Sequence, residues 1–164
     1  MSASTLSLLL RDEEMIFPAI VSLMHALQMA VMAKAVGGLR GKFKISPPAT
    51  SGDPGFERGL RAQQNTLEFS PIFLILLWVS AKYLNPVLAS LTALLYLKAR
   101  SDYFSGYCAS AEKRLRPFKR SVLIIQVLLL YSAIGLIHTA LTAYFNINIP
   151  QKVGLDKYIP LGKL

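Results

Sequence analysis

The sequence predicts an all-α integral membrane protein, a single domain over residues 1–164 built as a bundle of four transmembrane helices. Three observations carry this expectation. The chain is 53% hydrophobic and only 16% charged, with a mean hydropathy of +0.43, whereas a soluble domain carries roughly 25% charge. Its charges crowd into short stretches between long apolar runs. Four of those runs are the length needed to cross a hydrocarbon core of roughly 30 Å as helix.

The first run covers about residues 16–36, and Lys34 near its end is placed to snorkel to lipid headgroups. Arg11, Asp12, Glu13 and Glu14 precede it, which is not the pattern of a cleavable leader. The segment GGLRGKFKISPPATSGDPG, residues 37–55, is rich in glycine and proline and predicts a loop of restricted conformation. The second span covers about residues 67–84, with a polar helical extension from near Phe56. Asn85-Pro86 makes a tight link to the third span, about residues 87–107. Lys113, Arg114, Arg116, Lys119 and Arg120 make the third connection basic, and the fourth span covers about residues 122–145.

The formal charge is +9, yet the basic residues flank apolar spans, where headgroups and the positive-inside rule account for them without nucleic acid. Connections one and three are expected on the cytosolic side, with both termini opposite, although Lys152, Lys157 and Lys163 in the tail weigh against this. The single cysteine, Cys108, excludes an intrachain disulfide.

Intramembrane polar residues are costly and mark function. In FERGLRAQQNTLEFSP, residues 56–71, Arg61, Asn65 and Glu68 fall at i, i+4 and i+7, and so share a helix face at about 100° per residue. Gln63 points nearly the opposite way. In KARSDYFSGYCASAEKRLRP, residues 98–117, Arg100, Tyr103 and Tyr107 fall at i, i+3 and i+7, and Arg114 continues the stripe. Guanidinium and phenol groups so arranged suit an anionic, hydrogen-bonding ligand beside lipid. His25 and His138 lack ligand-spaced partners and read as packing or interhelical residues. Gln28 and Gln126 read as interhelical hydrogen-bonding residues, Cys108 as structural, and no metal site is apparent.

These blocks, together with FKISPP at residues 43–48, resemble the family of membrane-associated proteins in eicosanoid and glutathione metabolism, in particular its glutathione-transferase and leukotriene-synthase branch. The resemblance spans nearly the whole chain. It implies a homotrimer in the endoplasmic reticulum membrane or nuclear envelope, with its site toward the cytosol. It also implies that Arg61, Asn65, Glu68, Tyr103, Tyr107 and Arg114 of one subunit bind glutathione, with Arg40 and Gln63 from the neighbour. Glutathione fits such a surface chemically: arginines pair with its two carboxylates and Glu68 with its ammonium. Arg114 would be the catalytic residue, stabilising the thiolate that attacks a lipophilic electrophile such as the fatty-acid epoxide leukotriene A4. Glutathione peroxidase activity on lipid hydroperoxides is a further implied reaction. The same family includes a non-catalytic lipid-presenting scaffold, the five-lipoxygenase-activating protein, but Arg61 and Arg114 argue for catalysis.

The chain departs from the synthase pattern at three positions. Gly41 stands where a second adjacent arginine is expected, with Lys42 nearby. Phe69 replaces a tyrosine, and Gln126 replaces a tryptophan over the lipid tail. These departures imply a broader transferase.

Overall fold

A computed structural model describes residues 13–145 and 147. The terminal charges Arg11, Asp12, Lys152, Lys157 and Lys163 lie outside these. The regular elements of the described chain are all helical: α1 (Ile16–Phe43), α2 (Pro54–Tyr83), α3 (Pro86–Ala109), a short 3₁₀ turn (Glu112–Arg114) and α4 (Leu115–Phe145).

Contrary to the expected loop at residues 37–55, α1 runs through Gly37, Gly38 and Gly41 to Phe43. A glycine costs a helix only about 1 kcal/mol relative to alanine. Here Val36, Leu39 and Phe43 pack with Phe56 and Leu60 of α2 and supply the opposing contacts. The helix stops where Lys44 turns left-handed at φ 56°, and the Ile45 N–H reaches back to the Arg40 carbonyl at 3.0 Å. The true loop is residues 44–53. Asp53 then caps α2 by accepting from the Gly55 N–H at 2.7 Å, with Pro54 at the first helical position.

The polar extension of the second span is continuous helix from Pro54. Asn85 caps α3 through a 2.8 Å bond from the Leu88 N–H, so Asn85-Pro86 is a tight link. The fourth helix begins at Leu115 rather than near residue 122. Pro117 does not prevent this, because first-turn N–H groups have no intrahelical acceptor to lose. Arg116, Lys119 and Arg120 are therefore helical residues, not loop residues.

α3 packs against all three other helices, and α2 against α1 and α4 as well. Ala81, Ala89, Ala93 and Ala99 are buried between them, and such small side chains let helices approach closely. The Phe73 and Tyr96 rings stack at 4.2 Å in this core. Gly135 admits α4 to the α2–α3 link, since a Cβ there would lie 2.6 Å from the Tyr83 carbonyl carbon. Large apolar side chains such as Leu23, Leu27, Val31, Ile75, Leu95 and Ile137 face outward, as lipid-facing surfaces of spans do.

Among the described residues, α1, α2 and the helical stretch Glu112–Phe145 are long and apolar enough to cross a membrane. α3, with 24 residues, has the length but also three charges, Lys98, Arg100 and Asp102. Only one of these is sheltered, and the Lys98 side chain is 73% exposed. Arg100 is fully buried, and Asp102 accepts from Lys98 at 2.6 Å and faces Arg120 of α4 at 3.9 Å.

His25 joins α1 to α2 as an interhelical residue, its Nε2 lying 2.9 Å from Ser70 Oγ. Gln28 donates to the Leu97 carbonyl at 2.7 Å and to Ser101 Oγ at 2.8 Å, tying α1 to α3. Gln126 does not play the bridging part expected of it. It lies exposed on α4.

Candidate functional site

At the end of the bundle where α2 begins and α3 ends, a cavity of about 200 Å³ is lined by Arg61, Gln64, Asn65, Glu68, Tyr103, Tyr107 and Arg114. α2 supplies the first four at i, i+3, i+4 and i+7, a stripe along one helical face. Six of the residues expected from the sequence thus meet in one place. Gln64 was missed: the same spacing marks it, but the family resemblance pointed to Gln63.

Arg114 arrives by a different route than a continued helical stripe. α3 ends at Ala109, and Ser110 is fully extended at φ −159° and ψ 158°. The chain then folds back through the 3₁₀ turn, where the Lys113 N–H donates to Ser110 Oγ at 3.4 Å. This return brings the Arg114 guanidinium carbon to 4.5 Å from the Tyr107 ring centroid. Gly106 permits it, because a Cβ at that position would stand 2.9 Å from the Lys113 carbonyl oxygen.

The wall is ordered by further contacts. Tyr103 and Tyr107 have ring centroids 5.9 Å apart, and Phe118 of α4 lies 5.9 Å from Tyr103. Asn65 Nδ2 faces Glu68 Oε2 at 3.4 Å. Behind the wall, Arg100 donates to Asn65 Oδ1 at 3.0 Å and to Thr66 Oγ1 at 2.7 Å. Among the described residues, Arg61 and Arg114 take part in no ion pair. Two guanidinium groups without a direct ion pair, one carboxylate and two phenols therefore face a common space. That set favours a ligand with more than one anionic group, a cationic group and many acceptors.

Arg40 and Gln63 do not line this cavity. Arg40 donates to the Ala49 carbonyl at 2.7 Å and lies 4.7 Å over the Phe56 ring, on helix α1 rather than on a loop. Lys42 is exposed and sits 5.2 Å over Phe43, also outside the cavity. Among the described residues, no group of three His, Cys, Asp or Glu side chains is arranged to hold a metal ion.

A model of the MAPEG family matches residues 18–139. The chain is 43% identical over 135 residues to microsomal glutathione S-transferase 2 of Homo sapiens, covering 82% of this chain and 92% of that protein. It is 41% identical over 147 residues to leukotriene C4 synthase of Mus musculus, covering 85% and 98% respectively. It is also 41% identical over 135 residues to microsomal glutathione S-transferase 2 of Bos taurus, covering 82% and 92%.

Proposed function

Because this chain belongs to the MAPEG family, we propose that it is a membrane glutathione transferase that conjugates glutathione to lipophilic electrophiles, leukotriene A4 among them. The observation that carries this reading is the pair of arginines, Arg61 and Arg114, which form no ion pair among the described residues and line one cavity with Glu68, Tyr103 and Tyr107.

Each group has a chemical task. Arg61 takes a glutathione carboxylate, Glu68 takes the ammonium, and Asn65 and the phenols satisfy the peptide groups. Arg114 lies beside the sulfur. A free thiol of pKa near 8.5 is only a few per cent ionised at neutral pH, and an adjacent cation raises that fraction. The thiol proton leaves to solvent, and the sulfur attacks an epoxide carbon. The C–S bond forms as the C–O bond opens, and the resulting alkoxide takes a proton from solvent. With a lipid hydroperoxide as electrophile, the same thiolate would attack oxygen, and a second glutathione would complete the reduction to alcohol and disulfide.

A cavity of about 200 Å³ is smaller than the roughly 300–1,000 Å³ of ordinary ligand sites. This supports a half-site that a neighbouring subunit completes, with Arg40 and Gln63 crossing the seam of a homotrimer. The basic residues Lys113, Arg116, Lys119 and Arg120, which follow the end of α3 in the 3₁₀ turn and the first turns of α4, support placing this end toward the cytosol of an endoplasmic reticulum or nuclear-envelope membrane. The test is ultraviolet thiolate absorbance and turnover on the purified protein with glutathione, comparing leukotriene A4 with an aromatic electrophile. A protein that binds glutathione but turns over neither would be a lipid-presenting scaffold instead.

A further inference from the structure

Arg100 sits mid-bundle, fully buried, and among the described residues it forms no ion pair. A buried guanidinium without a carboxylate partner is strongly unfavourable in a span, and such residues are kept where they serve a site. Its Nε and Nη1 have no hydrogen-bond partner in the described chain, so its charge is met only by dipoles, ring faces and the longer-range attraction of Glu68.

Its contacts are with the back of the cavity wall. Nη2 donates to Asn65 Oδ1 at 3.0 Å, and the guanidinium carbon lies 4.4 Å from the Tyr103 ring centroid. Both residues line the cavity. The same Nη2 donates at 2.7 Å to Thr66 Oγ1, and that hydroxyl donates to the Ala62 carbonyl at 3.0 Å. The arginine is thereby anchored to the α2 backbone one turn away.

A guanidinium can only donate. Asn65 must therefore turn its amide oxygen toward Arg100, which leaves its NH₂ group toward Glu68 and the cavity. Reversed, the same amide would present an oxygen to an acceptor-rich ligand and repel it.

We propose that Arg100 is a positioning residue of the ligand site, fixing the Asn65 amide with its NH₂ group toward the ligand and holding the Tyr103 ring in place. The ligand class is an anionic, acceptor-rich molecule, taken as glutathione, so the inference rests on the transferase reading above.

The experiment is a double-mutant cycle on the full-length protein, reading glutathione Kd by calorimetry. Arg100→Met and Asn65→Ala should each weaken binding by about tenfold, and the double variant should be within about twofold of the weaker single variant. Arg100→Lys keeps the charge but not the planar fork, and should remain several-fold weaker than the native protein. A merely structural arginine would give losses that multiply in the double variant, and that outcome overturns the inference. So does an Arg100→Met protein that binds within twofold of native. If Arg100→Met does not fold, Arg100→Lys carries the same cycle. A native protein that fails to bind glutathione overturns the transferase reading and this inference together, whereas native binding with independent losses overturns this inference alone.

Discussion

The Arg114 guanidinium lies over the ring of Tyr107, 4.5 Å from its centroid, although a helix end and a change of chain direction separate the two residues. That contact sets a cation, in no ion pair among the described residues, against a phenol that lines the cavity with it. Removing the cation should therefore affect chemistry more than binding. Arg114→Ala is expected to lower transferase turnover by about a hundredfold while glutathione binding is largely retained. The thiol loses its stabilising neighbour, so its pKa rises and the pH–rate profile moves to higher pH. Normal turnover with an unmoved profile would take Arg114 out of the mechanism.

The same geometry depends on Gly106. Adding a methyl group there meets the Lys113 carbonyl oxygen at 2.9 Å, so Gly106→Ala should push the 3₁₀ turn off α3 and misplace Arg114. Turnover should fall at least tenfold, since a misplacement of about 1 Å can cost a hundredfold. Gly37→Ala is the control, because nothing lies within 4 Å of a Cβ at that position. Steady-state kinetics on both variants decide this. Equal activity in the two would show that the close approach at Gly106 is unnecessary.

Substrate range provides a third test. Gly41 and Gln126 stand where the synthase pattern has an arginine and a tryptophan, and Gln126 is exposed on α4 with no hydrogen bond among the described residues. With neither group shaping an epoxide or a lipid tail, small aromatic electrophiles should be accepted alongside leukotriene A4. A rate assay that detects leukotriene A4 conjugation alone would move the protein to the dedicated synthases.

A fourth test addresses the seam between subunits. Arg61 lines the cavity, whereas Arg40 of the same chain is turned toward Ala49 and Phe56. If Arg40 acts across a trimer interface, chains carrying Arg61→Ala and Arg40→Ala, each inactive alone, should complement one another when coexpressed. Each side of an interface is intact with a probability of one half. Activity should therefore return to about a quarter of the native level. Mixed trimers that form and remain inactive would place both residues in one half-site.

The sequence by itself determined the apolar runs, the all-α class and the two polar stripes, because helical periodicity fixes which residues share a face before any packing occurs. It also determined the start of α3, since Asn85 and Pro86 act locally as cap and first-turn residue. Only the tertiary structure decided the rest. Contacts of Leu39 and Phe43 with Phe56 and Leu60 carried α1 through its glycines, overriding a propensity cost that packing across helices can outweigh. The fold-back at Ser110 placed Arg114 against Tyr107, which helical spacing cannot express once a helix has ended. Burial turned Arg100 from one member of a stripe into the support behind Asn65 and Tyr103. Each of these depends on distances between segments far apart in the chain, and such distances are set by how the four helices pack.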